Sequence, residues 1–213
     1  MPEELTKIYK TKLSLRRASP LFPHSAFMKR LFDLFICFIA GLILLPFFII
    51  ITLAVRLTSR GPALYWSDRV GLNNLIFRMP KFRTMQINTP AVATHLLADP
   101  DQYLTPSGSF LRKTSLDELP QLWSIMKGDM SFVGPRPALF NQDDLISLRS
   151  QHGVHELVPG LTGWAQINGR DELPIPDKVK LDVEYLYRQS FWFDLKILWL
   201  TFIKVVRRDG VSH

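Results

Sequence analysis

One cysteine, Cys37, stands in 213 residues. A disulfide framework and a cysteine-rich zinc module are therefore excluded, and a reducing compartment fits. The chain also lacks a P-loop, a G-x-G-x-x-G fingerprint and a G-x-S-x-G elbow, so the common glycine-loop nucleotide cradles and the serine-hydrolase turn are missing. There is no internal repeat. The net charge of +7 is unevenly placed: residues 1–30 carry seven Lys/Arg against Glu3 and Glu4, whereas the remainder holds 19 positive against 17 negative. Basicity is thus a terminal feature. No basic surface spreads over the fold, and the leader has few aromatics to stack on a single strand, so nucleic acid is not an expected partner. The length allows one domain, with or without an appendage, and 47% hydrophobic residues argue against disorder.

What is present is a membrane signal. Leu34 to Val55 is a run of 22 residues without a charge. As helix it measures about 33 Å, roughly the thickness of a bilayer core. It is too long for a secretory signal, and no small-residue cleavage pattern follows. Pro46 sits near its middle, where it removes a backbone bond. Lys29 and Arg30 precede the run and Arg56 and Arg60 follow it, so both ends have similar claims on the cytoplasm. The reading is a helix broken at Pro46 that enters and leaves by the cytoplasmic face, with Asp33 pairing Lys29 or Arg30 at the interface.

After Gly61-Pro62 the pattern changes. Ala63–Trp66 and Leu75–Met79 flank Gly71-Leu72-Asn73-Asn74 as a small β-hairpin. Residues 86–109 read as an irregular loop. A helix over Gln121–Lys127 turns Leu122, Ile125 and Met126 inward and stops at Gly128. Others follow Asn141, using Leu145 and Leu148, and span about Asp177–Gln189, with Val179, Val183 and Leu186 on one stripe. Phe191–Val206 is apolar at 12 of 16 positions but is interrupted by Asp194, Lys196 and Lys204. It is either a buried core helix or an amphipathic helix in the membrane interface, with Trp192, Trp199 and Phe202 as anchors; the second fits better. The fold class is α+β, mainly helical.

Polar chemistry gathers in FLRKTSLDELPQLW, residues 110–123. Asp117 and Glu118 are adjacent carboxylates. Ser115-x-x-Glu118 and Thr114-x-x-Asp117 both match a helix capping box, which is a purely structural explanation. Pro120 weakens it by disfavouring the helical region at Leu119. The functional alternative is attack of one carboxylate on phosphorus, both helping to hold a divalent cation, since an anionic nucleophile meeting an anionic phosphate needs charge neutralisation. Adjacent carboxylates sit too close to flank a sugar as a glycosidase pair. Fixed cations are available in Lys81 and Arg83, in Arg112 and Lys113, and in Arg136 between Pro135 and Pro137. His152 and His155 lack a surrounding metal pattern. Trp164 is either core or a stacking platform.

Four motifs occur in fixed order: KFRTM (81–85), RKTSLDELPQLW (112–123), GDMSFVGPRP (128–137) and PGLTGWAQINGR (159–170). With the Lys/Arg-flanked membrane helix, they make residues 28–208 resemble the bacterial sugar transferases. These are monotopic polyprenyl-phosphate phosphoglycosyl transferases that start capsule, O-antigen and glycan-lipid assembly, and this chain resembles their minimal catalytic form. The basic leader (1–27) lies outside the resemblance, which implies a re-entrant membrane helix (28–58) and a catalytic domain (59–213) on the cytoplasmic face of the bacterial inner membrane.

It further implies that Asp117 attacks the β-phosphate of a UDP-sugar, expels UMP and passes the phosphosugar to polyprenyl (undecaprenyl) phosphate. Glu118 is its partner, in Mg²⁺ binding (with Asp117) or in proton handling. Lys81, Arg83 and Arg112 match the basic positions around the phosphates, Pro135, Arg136 and Pro137 the uridine segment, and Asp171 a further polar position after INGR. The family's Ser-Pro helix break is Leu45-Pro46 here. Membrane lipids are expected partners, and a homodimer is compatible. The rival readings are a membrane-bound nucleotide-sugar pyrophosphatase and a non-catalytic membrane-anchored scaffold.

Overall fold

The computed structural model describes residues 22–90, 99, 101–169 and 173–207. Most of the basic leader and Asp171 lie outside the described residues.

The charge-free run forms helix α1, Phe22–Thr58, 37 residues long. It departs from the expected break: the helix runs unbroken through Pro46. Proline costs a backbone bond and crowds the preceding turn, yet the helical backbone continues through it, and Leu44 and Phe48, on either side, are both packed against the core. Asp33, Cys37, Ala40, Leu44, Phe48, Ile51 and Val55 recur at steps of three and four, the spacing of one helix face. That face lies along the rest of the protein for about 33 Å, with Cys37 in the main core and Ile51 and Val55 in a second cluster with Ala63, Phe82 and Leu111. The other faces expose Phe38, Leu42, Ile43 and Ile50.

Polar contacts pin both ends of this seam. At the start, Lys29 donates to the Val133 carbonyl at 2.9 Å and pairs with Asp194. Arg30 donates to the carbonyls of Ile125 and Met126. Asp33 is buried and accepts hydrogen bonds from the Phe132 amide, at 3.2 Å, and from the Ser131 side chain; the expected partner Lys29 acts on it by charge and bonds Asp194 instead. Beyond α1, Arg83 donates to the carbonyls of Ser59 and Arg60 and to Ser59 Oγ.

The hairpin forms as expected. Strand β1 (Leu64–Val70) pairs antiparallel with β2 (Ile76–Phe82), and Asn73 takes a left-handed conformation in the turn. Helix α2 (Gly108–Lys113) leads to a 3₁₀ turn at Leu116–Glu118 and then to α3 (Gln121–Lys127), which Gly128 ends at φ 96°. Leu122 and Ile125 face inward, but Met126 is exposed because the helix is only two turns long and one side suffices for burial.

Strand β3 (Ser131–Val133) follows, then α4 (Asp143–Gln151), β4 (Gly160–Thr162) and the short helix α5 (Trp164–Asn168). The parallel pairing of β3 with β4 was not expected. It requires glycine: a Cβ on Gly160 would stand 2.1 Å from the Gly134 nitrogen. Helices α6 (Ile175–Arg188) and α7 (Phe191–Arg207) close the fold. The expected α6 stripe is right, with Val179 and Leu186 buried. On α7, Phe193, Asp194 and Ile197 are buried while Trp192, Trp199 and Phe202 are exposed, so a wholly buried helix is excluded. Trp164 packs on Phe193 at 5.1 Å and donates to Glu184, a core role with a polar tip.

Candidate active site

The site is assembled by alternation and by tight turns. Along β2 successive side chains point to opposite faces: Phe82 meets Phe48 of α1, which sends Lys81 the other way, toward the Leu116–Glu118 turn. That turn begins at Ser115, whose φ of 56° lies in the left-handed region. A non-glycine residue there costs roughly 1 kcal/mol. No side-chain capping bond is formed by Ser115, so the capping box does not account for Asp117 and Glu118. Both carboxylates instead turn toward cations.

Glu118 is clamped. Its Oε1 accepts from Lys81 Nζ at 2.7 Å and from Arg136 Nη2 at 2.9 Å. Burial alone would raise this carboxyl, but the charges and hydrogen bonds of Arg136 and Lys81 outweigh burial and hold it well below the usual carboxylate range. Asp117 is the reverse case. It is 7% exposed, with Lys81 Nζ 4.0 Å from its Oδ2. Burial pushes its carboxyl up, Lys81 pulls it down, Glu118 adds repulsion, and Arg112 and Arg136 oppose that. Two neighbouring carboxylates thus sit in different environments: one is locked between cations, the other is less engaged and more basic.

Arg112, from α2, donates to Thr84 Oγ1 at 3.2 Å and to Met85 Sδ at 3.4 Å; its charge acts on Asp117. Arg136 is carried by the loop after β3. Its neighbours Pro135 and Pro137 line a small cavity together with Arg149 and His155. The structure therefore brings together Lys81, Arg112, Asp117, Glu118 and Arg136. It does not bring Arg83, which is 5% exposed and bonded to the chain just after α1. Asp171 falls outside the described residues. Sequence reading missed Arg149, which donates to the Arg136 carbonyl at 2.8 Å. Only its buried pairing with Asp182, 33 positions on, marks it, and no local motif signals that.

A divalent cation fits the pair on donor chemistry. Carboxylate oxygens suit Mg²⁺, which takes one or two carboxylates and completes its shell with water and substrate phosphates. Among the described residues no group of three or more His, Cys, Asp or Glu could hold a metal, so a fully protein-built cage is absent there.

Residues 24–208 match the family model described as bacterial sugar transferase. The chain is 43% identical over 191 residues to the uncharacterised sugar transferase EpsL of Bacillus subtilis (strain 168), covering 87% of this chain and 91% of that one. It is 37% identical over 193 residues to the UDP-glucose:undecaprenyl-phosphate glucose-1-phosphate transferase of Escherichia coli (strain K12), and 38% identical over 202 residues to the undecaprenyl-phosphate galactose phosphotransferase of Salmonella typhimurium. In both cases 87% of this chain is covered but only 42% of the longer relative. The chain belongs to the bacterial sugar transferase family.

Proposed function

We propose that this protein moves a sugar 1-phosphate from a UDP-sugar to undecaprenyl phosphate through a covalent intermediate on Asp117. The observation that carries the reading is the division of labour between the two carboxylates: Glu118 is held by Lys81 and Arg136, leaving Asp117 beside a set of fixed cations. In the first step an Asp117 oxygen bonds to the β-phosphorus as the bond from that phosphorus to the bridging oxygen breaks. UMP leaves with the electron pair. In the second, a phosphate oxygen of the acceptor attacks the same phosphorus and the Asp117 carboxylate is released. Both steps move anionic charge through one place. Lys81, Arg112 and Arg136 keep that place positive throughout, with no reorganisation during reaction. A Mg²⁺ ion held by Asp117 and Glu118 would supply further neutralisation of the phosphates.

The proposal is tested by intact mass. Incubation with a matching UDP-sugar is expected to add one sugar-phosphate to the protein and release UMP, and sustained turnover is expected only with undecaprenyl phosphate. UDP as the leaving product would falsify phosphosugar transfer. Turnover with water alone would indicate the pyrophosphatase reading.

The same packing supports a membrane topology. Apolar length makes α1 able to cross a bilayer, but its two ends are both pinned to one domain and the seam between them is continuous. A crossing helix would draw that domain into hydrocarbon, where its polar surface is not tolerated. We therefore assign α1 to one leaflet, with both of its ends on the cytoplasmic side and the exposed aromatics of α7 in the interface. Cysteines placed within residues 1–25 and at Ser59 are expected to resist a membrane-impermeant thiol reagent in intact spheroplasts and to react after lysis. Reaction of only one of them from outside would show a crossing helix.

A further inference from the structure

The loop that carries Arg136 is fixed by its carbonyls. The Pro135 carbonyl accepts from the Gly160 amide at 2.9 Å, that of Arg136 from Arg149 Nη1 at 2.8 Å, that of Pro137 from Arg69 Nη1 at 3.3 Å, and that of Ala138 from the Val70 amide at 2.9 Å. Four consecutive peptide groups are held by three parts of the chain, β4, α4 and β1. Two of these holds are backbone, from β4 and β1, and follow from the sheets. The hold on Arg136 itself comes from a side chain brought from α4.

Arg149 is not a surface cation that happens to reach. It is 8% exposed, and its Nε and Nη2 both donate to Asp182 Oδ2 of α6, at 2.9 and 2.7 Å. Asp182 is 1% exposed. Removing two charges from water is costly, and an apolar pair of similar volume would generally stabilise the interior at least as well. The pair therefore calls for a reason other than stability. The geometry supplies one: the carboxylate occupies two donors of the guanidinium and orients the third at the Arg136 carbonyl. Arg136 Nη2 then meets Glu118 at 2.9 Å.

We propose that Arg149 and Asp182 are positioning residues, a buried pair on α4 and α6 whose task is to hold the Arg136 backbone so that its guanidinium stays on Glu118. The inference rests on the catalytic reading above, in which Glu118 and Arg136 act on the phosphates beside Asp117. Neither Arg149 nor Asp182 touches the reacting atoms. Their effect passes through Arg136 alone, and that is what separates positioning from support of the fold.

The test is a double-mutant cycle. Arg149→Lys keeps a cation beside Asp182 but lacks the planar fork that serves Asp182 and the carbonyl together. It is expected to lower kcat/KM about tenfold. In an Arg136→Met background the same change is expected to cost less than about twofold, because the group being positioned is already gone. Equal factors in the two backgrounds, or no effect in either, would overturn the proposal.

Should Arg149→Lys fold poorly, Arg149→Met combined with Asp182→Leu removes both charges from the interior and enters the same cycle under the same criteria. Amide exchange read by mass over residues 134–139 gives an arm that needs no turnover. Arg149→Lys is expected to speed exchange there about tenfold, with α6 unchanged. Unchanged exchange at 134–139 overturns the bracket. An unmodified protein inactive with every UDP-sugar would instead count against the catalytic reading, and the exchange arm would still decide this one.

Discussion

Asp117→Asn is expected to abolish the sugar-phosphate adduct and to reduce turnover about 10⁴-fold or more. The substitution is nearly isosteric. It removes the attacking oxygen's charge and leaves the packing around a 7%-exposed side chain largely alone, so the folded protein should be recovered in normal yield. Because burial already raises this carboxyl, replacing it with a neutral amide removes a desolvation cost, and thermal stability should be unchanged or slightly higher. Mass spectrometry of the unmodified and Asn proteins after incubation with donor checks the first point, and a melting curve checks the second. Retention of the adduct in Asp117→Asn would place the nucleophile elsewhere. Full activity in a reconstituted assay would support the scaffold reading.

Lys81→Met is expected to lower kcat about 10³-fold, more than the loss of a single peripheral cation, because Lys81 serves both carboxylates. Its Nζ bonds Glu118 at 2.7 Å and lies 4.0 Å from Asp117. Without it Glu118 keeps the recorded bond from Arg136, and Asp117 loses the strongest of the charges that offset its burial. The sign of the pH effect follows. On the proposed mechanism Asp117 attacks as its carboxylate, and removing Lys81 raises its carboxyl further. The acid-side fall in activity should therefore begin at higher pH in Lys81→Met than in the unmodified protein. A pH profile of kcat with saturating donor measures this; an unmoved acid limb would mean that Lys81 acts on substrate alone.

Much of the site was legible because its residues sit in short, dense motifs. Asp117 and Glu118 are adjacent, Arg112 is one turn upstream, and Arg136 stands between two prolines. The hairpin, α3, α6 and α7 were also readable, since each has a local signal: turn residues, a terminal glycine, or an apolar stripe. What escaped were features made by distant partners. The β3–β4 pairing joins Ser131 to Gly160 and has no short-range mark beyond its glycines. Arg83 reads as a phosphate cation, adjacent to a motif rich in them, yet its donors go to Ser59 and Arg60. Pro46 reads as a break because local chemistry says so, yet the helical backbone of α1 continues through it, between Leu44 and Phe48 on the core. The capping box at Ser115 failed for a related reason: Lys81 and Arg136, from other parts of the chain, compete successfully for Glu118.

The continuous seam along α1 has a kinetic meaning as well. On the proposed topology, with α1 packed along the catalytic domain, the height of Asp117 relative to the lipid plane is set at insertion. A lipid-borne acceptor then finds the site by lateral diffusion at a fixed depth, and its relevant concentration is its mole fraction in the bilayer. Diluting the acceptor with inert lipid at constant total amount should slow the second half-reaction, while release of the soluble nucleotide in the first proceeds at an unchanged rate.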